Sequence, residues 1–110
     1  MVMIMTTTWY PHGKEREAGE IFVELKNKLP TKHFEEPILS IGVSATRDGI
    51  KVISIDKIKE GQYEKALRLI TKRMLEFTNI KGFKYEIETL LTGSEAMSLI
   101  GLGVPAGVTL

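Results

Sequence analysis

The chain has 110 residues, 43% hydrophobic and 26% charged, with ten glycines and four prolines; that suffices for one compact domain and hardly for two. Fifteen Lys and Arg against fourteen Asp and Glu leave a formal charge of +1, which removes the electrostatic case for a nucleic-acid or acidic-lipid binder. Cysteine is absent, excluding a disulfide framework, a thiolate metal centre and a cysteine nucleophile.

No run reaches the roughly 18 consecutive apolar residues of a membrane span. The apolar start Met1 to Met5 passes straight into threonines, with no basic region or cleavage site. A soluble, cytoplasmic protein is expected. The amides are few, Gln62, Asn27 and Asn79, which leans towards a thermophile.

Breaks at Tyr10-Pro11-His12-Gly13, Leu29-Pro30, Arg47-Asp48-Gly49, Glu60-Gly61, Lys81-Gly82 and Leu91-Thr92-Gly93 divide the chain into six main elements. Val2 to Tyr10 is β-branched and aromatic, and predicts a strand. Between Lys14 and Leu29 the apolar residues Ala18, Ile21, Phe22, Leu25 and Leu29 recur at helical spacing, which predicts an amphipathic helix closed by Pro30. Ile38 to Thr46 and Ile50 to Ile58 read as a hairpin. Taking Asp48-Gly49 as a type I′ loop sets Arg47 opposite Ile50, Ala45 opposite Val52, Val43 opposite Ser54 and Ile41 opposite Asp56.

From Tyr63 onward, Ala66, Leu67, Ile70, Met74 and Phe77 form a second helical stripe. Phe83 to Leu91 alternates Phe83, Tyr85 and Ile87 with Lys84, Glu86 and Glu88, the pattern of a half-buried strand. Thr92-Gly93-Ser94-Glu95 matches a capping box opening a short helix that ends near Gly101, followed by an apolar tail to Leu110.

The order β-α-β-β-α-β, with right-handed crossovers around one hairpin, predicts an α+β fold: a four-stranded antiparallel sheet, order 4-1-3-2, with two helices on one face and a short C-terminal helix. Residues 1–110 form one domain in this reading, with a core over 2–91 and a helix and tail over 92–110. The layout of residues 2–91 resembles the ferredoxin-like fold, particularly the small proteins of the dimeric α+β barrel group. The stretches MTTTWYP, DGIKVISI and YEIETLLT are also similar to those of small archaeal proteins of unassigned function. The resemblance is one of layout and implies a fold without an activity.

Apolar side chains fall on both sides of the first three strands: Ile50 and Val52 against Ile53 and Ile55, and Val2 and Ile4 against Met3, Met5 and Trp9. Two helices cover one sheet face only. The other is expected to pack on a second copy in a homodimer or higher homo-oligomer, the alternative being that the C-terminal helix folds back over it.

Polar groups concentrate where the first strand runs into the first helix. Free amides at a helix N-terminus suit an anion, so a small carboxylate or phosphate could meet Thr8, Tyr10, His12 and Arg47, with Trp9 and Tyr85 nearby. The plainer alternative makes the threonines ordinary strand formers, Trp9 a core anchor and His12 a turn residue.

His12 and His33 flank a helix about 24 Å long and cannot share a metal within one chain. No metal or cofactor is expected. Glu86 and Glu88 project to one strand face, which Asp56 is expected to join; such carboxylates can divide acid and base roles, but more often keep an edge strand soluble. Phosphate loops, metalloprotease and nucleophile-elbow motifs are absent. Enzymes of the dimeric α+β barrel group that act on haem or aromatic substrates place a Trp, Asn or His between sheet and helices; the layout gives no alignment of Trp9 to those positions, so no catalytic role carries over.

Two functions follow. One is a non-enzymatic homo-oligomeric module binding a small molecule or a protein partner. The other is a cofactor-independent oxygenase or isomerase with Trp9, Tyr10, His12 and Tyr85 around a cavity.

Overall fold

A computed structural model describes residues 2–108; Met1 and the tail end Thr109 and Leu110 lie outside the described residues. The elements are β1 (Val2–Tyr10), α1 (Glu15–Lys28), β2 (Glu35–Thr46), β3 (Gly49–Ile58), α2 (Tyr63–Leu75), β4 (Lys84–Leu90) and α3 (Gly93–Leu99). The sheet is antiparallel in the order β2-β3-β1-β4, the predicted order read from the other edge. No helix of the described residues is long and apolar enough to cross a membrane.

Alternation decides the two faces. Ile4, Thr6, Thr8 and Tyr10 share a face with their direct partners Asp56, Ser54, Val52 and Ile50 on β3, and with Thr89, Ile87 and Tyr85 on β4. Both long helices cover this face. Ile4 and Ile58 pack with Ala66 and Ile70 of α2 and with Phe34, so α2 seals one half of the sheet. The buried residues of α1, Ala18 and Leu25, cluster instead with Phe77 and Ile80 beyond the end of α2. Each fully buried isoleucine contributes roughly 1.5–3 kcal/mol. Because α1 leans chiefly on the α2 end and meets the sheet at Tyr10, space remains beneath it.

The opposite face carries Met3, Met5, Thr7 and Trp9 of β1, Lys51, Ile53, Ile55 and Lys57 of β3, and Lys84, Glu86, Glu88 and Leu90 of β4, as the registers require. Asp56 is therefore not on the face of Glu86 and Glu88, as expected from sequence, but on the helix face: it pairs with Ile4, whereas Glu86 and Glu88 pair with Thr7 and Met5.

The hairpin also differs. Thr46 pairs with Gly49, Ala45 with Ile50 and Val43 with Val52, so Arg47-Asp48 is the loop, and no non-glycine residue among those described has the positive φ of a type I′ turn. Gly49 serves another purpose. Its φ is +150° and a Cβ there would stand 2.7 Å from the Tyr10 carbonyl oxygen, so the hairpin can close against β1 only with glycine at this position. Further along, β2 shifts register between Pro37 and Leu39 and again between Leu39 and Gly42. These bulges bend an edge strand that runs three residues earlier than predicted.

The capping box forms as expected: the Glu95 amide donates to Thr92 Oγ1 at 3.1 Å and the Thr92 amide to Glu95 Oε1 at 3.0 Å. Yet α3 buries none of its residues. Leu99 and Ile100 are 76% and 73% exposed.

Candidate functional site

The space beneath α1 is a cavity of about 300 Å³, at the small end of the range for small-molecule sites. Its floor is the sheet: Thr6, Thr8 and Tyr10 from β1 beside Val52, Ser54 and Asp56 from β3. Pro37, Ile41 and Val43 of β2 form the side wall, the bulges of that strand setting where they stand. Phe22 and Leu25 of α1, with Leu29 just after it, form the roof, and Met74, Phe77 and Phe83 close the end near β4. Phe77 and Phe83 stack with ring centroids 5.4 Å apart. The result is an apolar chamber with hydroxyls and one carboxyl along its floor.

Charge in and around the chamber is organised by Arg73. Its Nε donates to the Leu29 carbonyl at 3.0 Å, Nη2 to the Pro30 carbonyl at 2.9 Å and to Glu35 Oε1 at 3.0 Å, and Nη1 to Glu35 Oε2 at 2.7 Å. This fork ties α2 to the loop between α1 and β2, and neutralises Glu35, whose side chain is only 1% exposed. Asp56 has no such partner: it accepts no hydrogen bond from any described residue, and burial, followed by the nearby Glu35 charge, raises its pKa against the opposing pull of Arg73 and Lys26. Lys26 stands over the Phe22 ring, 4.8 Å from its centroid. The phenol of Tyr10 is also pushed up, by burial and then by Glu15.

Of the candidate ligand-binding residues Thr8, Trp9, Tyr10, His12, Arg47 and Tyr85, Thr8 and Tyr10 line this cavity and the others do not. Trp9 points to the opposite sheet face. Tyr85 shares the cavity-side face and lies 6.1 Å from the Phe83 ring, outside the lining. Arg47 sits at the hairpin tip, 95% exposed and 3.7 Å from Asp48. His12 is 53% exposed, with Nε2 2.6 Å from the Thr46 carbonyl, an arrangement that latches the β1–α1 junction to the hairpin. At the N-terminus of α1 the Gly13 amide donates to both Glu15 oxygens, at 3.0 and 3.2 Å. The chain's own carboxylate thus takes the place an anion would have, and these backbone bonds hold Glu15 below the usual range.

Sequence reading missed the Glu35–Arg73 pair and the position of Asp56. The second had a signal: Ile50, Val52, Ser54, Asp56 and Ile58 alternate onto one face, and a charged residue amid core-facing positions of an interior strand marks a site. The first had none, since its partners are 38 residues apart.

No protein-family model matches the chain, and no curated protein matches it; the likeness of its wording to archaeal proteins finds no support there. Solved structures do match. A de novo designed protein, Foldit4, is 16% identical with a TM-score of 0.55, over 82% of this chain and 96% of the designed one. A crystal structure from Deinococcus radiodurans, described as a presumed antibiotic biosynthesis monooxygenase, is 14% identical with a TM-score of 0.58, over 84% of this chain and 93% of that one. At such identities the likeness is one of fold, and a fold shared with a designed protein does not itself carry an activity. The chain has the ferredoxin-like fold of these structures.

Proposed function

We propose that the chain is a homo-oligomeric module that binds a small, largely apolar molecule in the cavity beneath α1. The observation that carries this reading is the chamber itself: an opening of about 300 Å³ floored by hydroxyls and an unpartnered carboxyl in a domain otherwise closed by its isoleucine core. An apolar chamber with few, convergent polar groups is the ordinary form of a ligand site. Thr8 and Tyr10 contribute to it, and His12 and Arg47 have no place in it. The test is a ligand-detected magnetic-resonance screen of apolar fragments against wild type and Val52→Phe, which fills the floor. Binders that Val52→Phe loses support the reading, and a screen without binders overturns it.

A second reading rests on Asp56. A carboxyl whose pKa is raised inside an apolar chamber is suited to moving a proton to and from a bound molecule, in line with a cofactor-independent oxygenase or isomerase; a structure that shares the fold is described as a presumed monooxygenase. Turnover of a screened binder under air, followed by mass spectrometry and abolished by Asp56→Asn, supports it. Binding without turnover leaves the module.

A further inference from the structure

We propose that the ligand is an amine: an apolar body carrying one protonated nitrogen, which sits in the chamber and donates to the Asp56 carboxylate. This rests on the reading of the cavity as a ligand site and names the chemistry of what enters it.

Three observations select a cation. First, Asp56 is the carboxylate without a partner. Glu35 is taken up by the Arg73 fork and Glu15 by the Gly13 amide, while Asp56 accepts no hydrogen bond among the described residues and lies in the floor of the chamber. A half-buried carboxylate that no side chain of the described residues engages keeps its acceptor capacity for a ligand, and an ammonium is the group that complements it.

Second, the arginine cannot serve an anion. Arg73 spends Nε and both terminal nitrogens on two carbonyls and Glu35, so an incoming carboxylate or phosphate would have to break bonds of the fork that holds the α1–β2 loop. Lys26 is the one other cation in the lining, and its nitrogen stands over the Phe22 ring. Counting the lining, Glu15, Glu35 and Asp56 outnumber Lys26 and Arg73.

Third, the remaining surface favours a cation with an apolar body. The rings of Phe22, Phe77 and Phe83 wall the chamber and suit the carbon skeleton attached to the ammonium. Thr6, Thr8 and Ser54 supply hydroxyl oxygens in the floor that can accept its other protons.

The groups that bear on Asp56 from each packed element are Glu35 of β2, Arg73 of α2 and Lys26 of α1. Glu35 strengthens the hold on a cation, and the other two weaken it. Bringing an ammonium to Asp56 shifts that carboxyl towards its charged form, so binding releases protons at pH values where Asp56 is partly protonated.

The test uses three probes with one carbon body, 2-naphthylmethylamine, 2-naphthylmethanol and 2-naphthoate, titrated by calorimetry near neutral pH at low ionic strength into the full chain and its variants. The amine is expected to bind at least tenfold more tightly than the alcohol, and the carboxylate most weakly. Asp56→Asn should bring the amine down to about the level of the alcohol, while Asp56→Glu, which keeps the charge, retains part of the preference. Circular dichroism confirms that each variant is folded. Equal binding of amine and alcohol, or preference for the carboxylate, overturns the amine assignment and leaves the ligand cavity standing. Failure of all three probes, together with an empty fragment screen, removes the cavity reading itself.

Discussion

The Arg73 guanidinium meets the Glu35 carboxylate edge to edge, Nη1 to Oε2 at 2.7 Å and Nη2 to Oε1 at 3.0 Å, with side chains only 15% and 1% exposed. The pair joins α2 to the first residue of β2. Its remaining donors hold the carbonyls of Leu29 and Pro30, so one side chain fixes the end of α1 that roofs the cavity. A bidentate, fully engaged fork of this kind also decides what the chamber can attract, because it removes the strongest cation from competition for a ligand.

Breaking this pair from one side should therefore cost more than removing it whole. Glu35→Gln leaves the Arg73 charge half-partnered among apolar neighbours, and Arg73→Met strands the Glu35 carboxylate; each is expected to lose about 3–5 kcal/mol. Against a total stability of about 5–15 kcal/mol for a domain of this size, either variant approaches the unfolding threshold. The double variant Glu35→Gln/Arg73→Met, with no stranded charge, should recover a substantial part of the loss. Urea denaturation of the four proteins measures the coupling, and additive losses would show the pair to be independent.

Asp56 sets a distinct pH dependence. Its pKa is raised in the folded state, chiefly by burial, so the native protein holds this proton more tightly than the unfolded chain. The sign follows: stability falls as pH rises from the ordinary aspartate range near about 4 through the raised value, and stays lower above it. Asp56→Asn should thus be more stable than wild type at neutral pH, with the advantage fading towards pH values below both pKa values. Glu15 and Glu95, held low by the amides of Gly13 and Thr92, act in the opposite direction and cancel in the comparison. Chemical denaturation of both proteins at several pH values follows the difference; a constant difference across the range contradicts the assignment.

At Gly49 the backbone passes so close to β1 that a Cβ would stand 2.7 Å from the Tyr10 carbonyl oxygen, at φ +150°. Gly49→Ala is expected to cost about 2 kcal/mol or more, combining the conformational penalty with displacement of backbone. Gly13 makes the control, since its φ is +92° but nothing lies within 4 Å of the added methyl. Gly13→Ala should cost only about 1 kcal/mol. Thermal melts of the two variants separate crowding from conformation, and equal losses would show that the hairpin gives way easily.

Gly49 also marks where sequence reading stopped being sufficient. The limits of β1, the strand order and the Thr92–Glu95 box depend on local pattern and were legible. The Asp48-Gly49 pair suggested a familiar turn, but its glycine answers to Tyr10, a residue distant in sequence, and the loop moved by one position. Likewise Glu35 and Arg73 are ordinary charged residues until the fold buries them together. For Asp56 the alternation along β3 was sufficient to place it among Ile50, Val52 and Ile58, once β3 was paired with both neighbours.

The sheet face opposite α1 and α2 carries its own apolar centre. Met3, Met5, Trp9, Ile53 and Ile55 lie at its centre on β1 and β3, bordered by Lys51, Lys57, Lys84, Glu86 and Glu88. An apolar centre with a rim of both charges is the anatomy of a self-complementary interface. The face alone is about 400–500 Å², less than the roughly 800 Å² per partner of a stable pairing, so the exposed apolar side chains of Leu99, Ile100 and Leu102 are expected to add to the contact. Light scattering should give a homodimer at micromolar concentration. Ile55→Lys, at the centre, should give a folded monomer, and Leu99→Ser/Ile100→Ser a weaker dimer. Trp9, lying on this face and not in the cavity, reports the same event: its emission should shift to the red on dilution of wild type and start there in Ile55→Lys. A wild-type monomer with dilution-independent emission would sink the dimer, whatever the cavity binds.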